Sequence, residues 1–273
     1  MALYSLMFNS GYTKNGFALL TVMMLIAIIS LISVNMASRY LANTRASSLE
    51  FERIKAQQLL DAGVRFAALS LASPRSSVAP AAIPQAQLIY TAPDTVVNVS
   101  IENESAFIDL IESDMRLLES ALKAHGATAT QLPELIDMLR PKDKISDNEN
   151  KPLTYRNVRD LLFNTSINSA DLLAVSSLHN GKRGVNSELA SDKVLALVPG
   201  LSKAQRGKIL LQRDKPKTSL IQNNIHNQHF ITGVSAYYRI SCSVQVAEQR
   251  YSQVLIIKMT NQTGRLFDVQ ARL

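Results

Sequence analysis

The sequence predicts an α+β fold: a long N-terminal helix packed on an antiparallel sheet, with a large α-helical domain inserted between the strands. Three observations predict it. Residues Phe17 to Ser38 carry no charge, and as a helix at about 1.5 Å per residue they would span roughly 33 Å, enough to cross a bilayer core. Beyond them, from Arg39 to about Leu71, the pattern stays helical but becomes amphipathic. Last, two groups of strand-like runs, 85–104 and 216–273, stand on either side of a helical block, 105–215, so that the block interrupts a sheet.

Taken in order, the chain opens on a short leader, 1–16, that carries one cation, Lys14, and no acid. The apolar run 17–38 follows it directly, and no small-residue cleavage site closes that run, so it is not read as a removable secretory signal. In 39–72, Leu49, Ile54, Leu60, Val64 and Ala67 recur at near-helical spacing between Glu50, Glu52, Arg53, Lys55 and Asp61. Three prolines in 73–84 end this helix and form a loop. Two strands are expected at Gln87–Thr91 and Thr95–Glu102, turned by Pro93 and Asp94. In the second, Val97, Val99 and Ile101 alternate with Val96, Asn98 and Ser100, the mark of a sheet with a buried face.

The helical block reads as short helices between polar loops. Phe107–His125 places Ile108, Ile111, Met115, Leu118 and Leu122 on one stripe. Leu132–Leu139 and Arg156–Phe163 follow, separated by a polar loop at Lys142–Lys151. Ser191–Val198 and Ser202–Gln212 form a helix-hairpin-helix, with Gly200 in the tight turn and Ser202 and Gln205 as a capping box. The chain then returns to strands at Phe230–Ala247, Tyr251–Thr260 and Arg265–Ala271, the last two joined through Asn261-Gln262-Thr263-Gly264.

Composition narrows the function. With 47% hydrophobic residues the chain can bury a substantial core. A formal charge of +7 permits anionic partners, but the cations are scattered, Trp is absent and aromatics make up only 6%. That argues against a nucleic-acid surface. The single cysteine, Cys242, excludes an internal disulfide; it shares a strand face with Tyr238, Ile240, Val244 and Val246 and reads as a small core residue. Catalysis finds no foothold. His226 and His229 offer two metal ligands without a nearby carboxylate or thiolate, and no phosphate loop or nucleophile elbow is present.

The junction Lys14-Asn15-Gly16 against Phe17-Ala18-Leu19-Leu20-Thr21 resembles a type IV prepilin leader, which a membrane peptidase cuts after the glycine. Gly16 and Phe17 are thus the expected processing site, and a residue without a side chain suits an extended backbone entering a protease cleft. Thr21 stands fifth from that cut, where most of the family has a glutamate that meets a neighbour's terminal amine. Its absence is similar to the K-class minor pseudopilins of the type II secretion system. Further landmarks in family order are Ile101-Glu102-Asn103-Glu104, Leu135-Ile136-Asp137, Asn150-Lys151-Pro152-Leu153, Gly184-Val185-Asn186-Ser187, Leu197-Val198-Pro199-Gly200-Leu201 and Gly233-Val234-Ser235-Ala236-Tyr237-Tyr238. The resemblance covers most of the chain, although Met138-Leu139-Arg140 departs from the family's aromatic and acidic pair.

The resemblance implies a type IV pilin-like fold with an inserted α-domain, a single pass through the inner membrane and the bulk of the chain in the periplasm. It implies a tip subunit whose partners are the I- and J-class minor pseudopilins, the prepilin peptidase and the inner-membrane secretion platform, and it implies neither enzyme activity nor nucleic acid. Thr21, Leu49, Ile54 and Leu60 would form the partner interface. Calcium in the insert would fall to Asp137, Asp143, Asp147 and Glu149; against it, no D-x-D-x-D-G loop exists and Lys142, Lys144 and Lys151 lie among the acids, as in a solvated mixed-charge loop. The competing reading is a membrane-anchored DNA receptor of the competence type, with hairpin amides and Lys203, Arg206 and Lys208 holding a phosphate.

Overall fold

A computed structural model describes residues 12–73, 85–92, 95–140, 154–163, 165–213, 227–262 and 265–273. The chain divides into two compact units, Met1–Lys55 and Ala56–Leu273. One helix, α1 (Tyr12–Ala72), enters both. In the first unit its apolar residues, Leu19 to Met36 among them, are exposed. Two hydroxyls in and just beyond this stretch bond back within the helix: Ser33 Oγ donates to Ile29 O at 2.9 Å and Ser38 Oγ to Val34 O at 2.8 Å. An exposed helical stretch that is almost wholly hydrocarbon, with hydroxyls bonded back to its own carbonyls, suits a lipid environment. Among the described residues it is the one helix long and apolar enough to cross a membrane.

In the second unit, α1 becomes a core element. Ala56, Leu60, Val64, Ala67, Ala68 and Leu71 are buried against one face of a five-stranded antiparallel sheet. Its strands are β1 (Gln85–Ala92), β2 (Thr95–Asn103), β7 (Tyr237–Val246), β8 (Gln249–Gln262) and β9 (Arg265–Arg272), paired in that order. The expected alternation holds: Val97, Val99 and Ile101 stand opposite Val244, Cys242 and Ile240, and all six are buried. Burial pushes the Cys242 thiol up to about 12, which suits a core residue rather than a reactive one.

Gly63 lets the helix lie close to the strands. A Cβ there would stand 3.1 Å from Val97 Cγ1, 3.3 Å from Cys242 Sγ and 3.3 Å from Val99 Cγ2. Gly63→Leu is therefore expected to destabilise the second unit by about 1–3 kcal/mol through overpacking, read as a lower urea midpoint.

The described residues between β2 and β7 form a block with its own core. In chain order it holds a 3₁₀ turn (Glu104–Ala106), β3 (Ile108–Asp109), α2 (Met115–Ala124), α3 (Leu132–Leu139), α4 (Tyr155–Leu162), α5 (Ser169–Val175), β4 (Ser176–Ser177), β5 (Val185–Asn186), α6 (Asp192–Leu195), α7 (Lys203–Arg213) and β6 (Phe230–Ile231). The core gathers Leu117, Leu118, Leu122, Leu172 and Leu195 and includes Ile256 of β8. Leu255 and Ile257, its neighbours in the strand, belong instead to the core under α1. Alternation along one strand thus gives the sheet a helix on one face and the block on the other.

Two sequence expectations are corrected here. Phe107–His125 is not one helix: Ile108 pairs in β3, and Asp109 Oδ1 accepts from the amides of Ile111 at 2.7 Å and Glu112 at 2.9 Å, a turn that delays the helix to Met115. Met115, expected on the buried stripe, is 45% exposed, while Leu118 and Leu122 are buried as expected. Phe230–Ala247 is not one strand either. Phe230 and Ile231 pair in parallel with Val185 and Asn186 of the block, Gly233 takes φ +89°, and the main sheet resumes only at Tyr237. Helix α5 was not foreseen.

Candidate functional site

The residues expected to serve processing and assembly lie along α1. Gly16 and Phe17 are both within the helix, which begins at Tyr12. Thr21, Leu49 and Ile54 are exposed on it. Leu60 is not a surface residue: it is 5% exposed and packs in the core under the sheet, so it is removed from the partner interface. The error came from reading one stripe along the whole helix, when α1 buries its stripe against its own sheet only from Ala56 onward.

The structure brings together two landmarks 132 residues apart in sequence, at the two ends of the inserted block. Asn103, 3% exposed, closes β2. Its Oδ1 accepts from Ser105 N at 3.0 Å, Ser105 Oγ at 2.6 Å and Ser235 N at 2.9 Å, while its Nδ2 donates to Ser235 O at 2.8 Å. One amide side chain thus holds the exit and the return of the chain. Beside it, Arg239 of β7 donates from Nε to Glu104 Oε1 at 2.9 Å and from Nη2 to Glu104 Oε2 at 3.4 Å. Arg239 also donates to Ser176 O at 2.8 Å and Leu173 O at 3.3 Å, and its guanidinium lies 3.9 Å over the Phe107 ring. Burial works against its charge, but the Glu104 carboxylate offsets this, so the pKa of Arg239 stands above the usual guanidinium value. The pair bolts the block to the sheet.

A ring stack flanks this bolt. His179 lies 5.4 Å from Tyr237 at 19° and 5.8 Å from Tyr155 at 52°. The Tyr155 hydroxyl accepts from Leu178 N at 3.1 Å, and burial drives its pKa upward. Burial lowers the pKa of His179 from 6.5, opposed by Glu104 and Asp109 and assisted by Arg239. The folded state therefore favours neutral imidazole. The stability this supplies is complete above 6.5 and is lost as pH falls through the lower folded value. His179→Phe, which keeps a ring in the stack, is expected to flatten the fall in melting temperature between about pH 7 and pH 5, where unmodified His titrates; an unchanged slope would contradict it.

The helix-hairpin-helix is only partly formed. The capping box stands, with Ser202 N donating to Gln205 Oε1 at 2.9 Å and Gln205 N to Ser202 Oγ at 3.2 Å, and Gly200 turns at φ +75°. Its first helix, however, has shrunk to Asp192–Leu195. Arg206 pairs with Asp192 at 3.4 Å, and the Ser202 amide is already occupied by Gln205. Of the groups expected to hold a duplex phosphate, Arg206 and the Ser202 amide are thus engaged within the chain, while Lys203 and Lys208 are exposed.

Of the four expected calcium ligands, Asp137 is exposed on α3, while Asp143, Asp147 and Glu149 lie outside the described residues, as does the loop Lys142–Lys151. The described residues contain no group of three or more His, Cys, Asp or Glu able to hold a metal.

No family model matches this sequence, and no curated protein matches it. Among solved structures, the chain is similar to one from the crystal structure of the GspK-GspI-GspJ complex of the enterotoxigenic Escherichia coli type 2 secretion system. Identity is 10% and the TM-score 0.49, with 86% of this chain and 98% of that chain covered.

Proposed function

We propose that this chain is a minor pseudopilin of the type II secretion system, of the K class, that caps the pseudopilus tip and helps to initiate it for protein export from the periplasm. The supporting observation is one helix with two environments: exposed hydrocarbon in its first unit, then the buried stripe from Ala56 that forms one side of the core under the sheet. Such a helix anchors a folded head to a membrane and packs laterally on others of its kind. After cleavage at Gly16–Phe17 the mature chain begins inside the helix. Glycine weakens a helix by about 1 kcal/mol relative to alanine, which eases unwinding for the peptidase.

Thr21 and the inserted block support the tip position. A neutral hydroxyl cannot form the charged contact that a glutamate makes with the amine of the next subunit. A block spanning everything from Glu104 to Ala236 adds bulk that a tightly wound shaft does not accommodate. The test is co-purification of the full chain from membranes with the I- and J-class minor pseudopilins. A stoichiometric complex is expected, weakened by Leu49→Glu or Ile54→Glu; recovery of the chain alone would overturn the reading.

A further inference from the structure

The main sheet ends in two unlike edges. β9 is defended: its ladder with β8 is broken between Ile256 and Ile257 and again between Met259 and Gln262, and it carries Asp268 and Arg272. Bulges and charges of this kind keep a foreign strand from pairing. β1 has neither. Its eight residues hold no charge and no proline, and they pair with β2 in unbroken register, from Gln85 opposite Glu102 to Ala92 opposite Thr95. Among the described residues no strand pairs with its other side. An antiparallel strand bonds one neighbour through alternate residues only, so β1 keeps a row of main-chain donors and acceptors spaced for another extended chain.

The side chains at this edge are apolar on both faces. Leu88 and Tyr90 stand opposite the buried Val99 and Val97, so they face α1, and both pack partly buried against the core beneath it. The Tyr90 and Phe66 rings meet at 5.6 Å, which places the Phe66 flank of α1 beside β1. At about 3.6 residues per turn, Leu59 shares that flank while Asp61 and Arg65 fall on the other side of the helix. On the far face of β1, Ile89 is 67% exposed. A strand laid on β1 would extend the core with one row of its side chains and cover Ile89 with the other. A charge in the row facing α1 would be buried among Leu88, Tyr90 and Phe66 without a partner.

We propose that the free edge of β1 takes an added strand from a different protein: an uncharged, extended segment with apolar side chains at alternate positions. Every ladder of the main sheet is antiparallel. A second copy continuing that order would be related by a two-fold axis along the sheet normal, which reverses the run of α1 across the sheet. Two chains that enter one membrane by the same end of α1 cannot pair in that way. The edge itself does not depend on the assembly reading; the choice of a different protein over a second copy rests on the membrane anchor. The test uses the full chain in detergent micelles with the peptide acetyl-Ser-Val-Ser-Leu-Ser-Val-Ser-amide. Its fully N-methylated form, which keeps the side chains and loses the main-chain donors, is the comparison. The peptide is expected to slow hydrogen exchange at β1 and not at β9, and the methylated form to bind about tenfold more weakly. Ile89→Lys, a charge at an exposed position, should weaken the peptide by about tenfold, and Val269→Lys on the other edge strand should not. Equal binding of the two peptides, an unaffected Ile89→Lys variant, protection at β9 alone or no binding would each overturn the proposal. So would a dimer of the free chain that Ile89→Lys separates, which would give the edge to a second copy.

Discussion

Arg239→Ala is expected to destabilise the second unit by about 3–5 kcal/mol, because it leaves a buried carboxylate without its partner. Glu104 is fully buried and Arg239 6% exposed, so water cannot replace the lost guanidinium. Two carbonyls, Leu173 O and Ser176 O, lose a donor in the same step. The loss follows from stranding a charge rather than from any large net value of the pair. The double variant Glu104→Leu/Arg239→Met should accordingly recover most of it, since apolar groups of similar volume often replace a buried ion pair at little cost. Urea titration of the full chain in micelles measures both. A single variant that loses less than about 1 kcal/mol, the scale of an exposed pair, would show that this bolt does not hold the block.

Gly184→Ala should have the second-largest effect, about 3 kcal/mol, the upper part of the usual overpacking range. A Cβ at Gly184 would come within 2.3 Å of His229 O and 2.9 Å of His229 C, both backbone atoms. That carbonyl accepts from Val185 N at 2.9 Å, the bond that joins β5 to β6. The backbone must therefore separate, and the Val185 amide should lose its protection from hydrogen exchange. Gly207→Ala is the internal control. It lies within α7, where an added Cβ meets nothing within 4 Å, so it should stabilise by about 1 kcal/mol through helix propensity.

These residues show where the sequence was readable and where it was not. Local rules reached α1, the β1–β2 hairpin, the bounds of α3, the Ser202–Gln205 box and the core face of Cys242. Each depends on periodicity or on partners within a few positions. What escaped depends on partners far away. Asp109 makes a local turn with Oδ1, but its place in β3 is held from far away, where Gly181, 72 residues on, donates to Oδ2 at 2.7 Å. The burial of Glu104 depends on Arg239, 135 residues later, which pairs with it in the core. Leu60 fitted the stripe of Leu49 and Ile54, and only the sheet that covers it separates core from surface. The landmarks around Asn103 and Ser235 were visible as a pattern; that one amide joins them required the fold.

The most direct measurement of the central claim is the intact mass and N-terminal sequence of the protein recovered from its own membrane. The account predicts a mature chain that begins at Phe17 and retains the helix through Ser38, and a Gly16→Leu variant that keeps its leader. A native chain beginning beyond Ser38, or cleavage unaffected by Gly16→Leu, would contradict it.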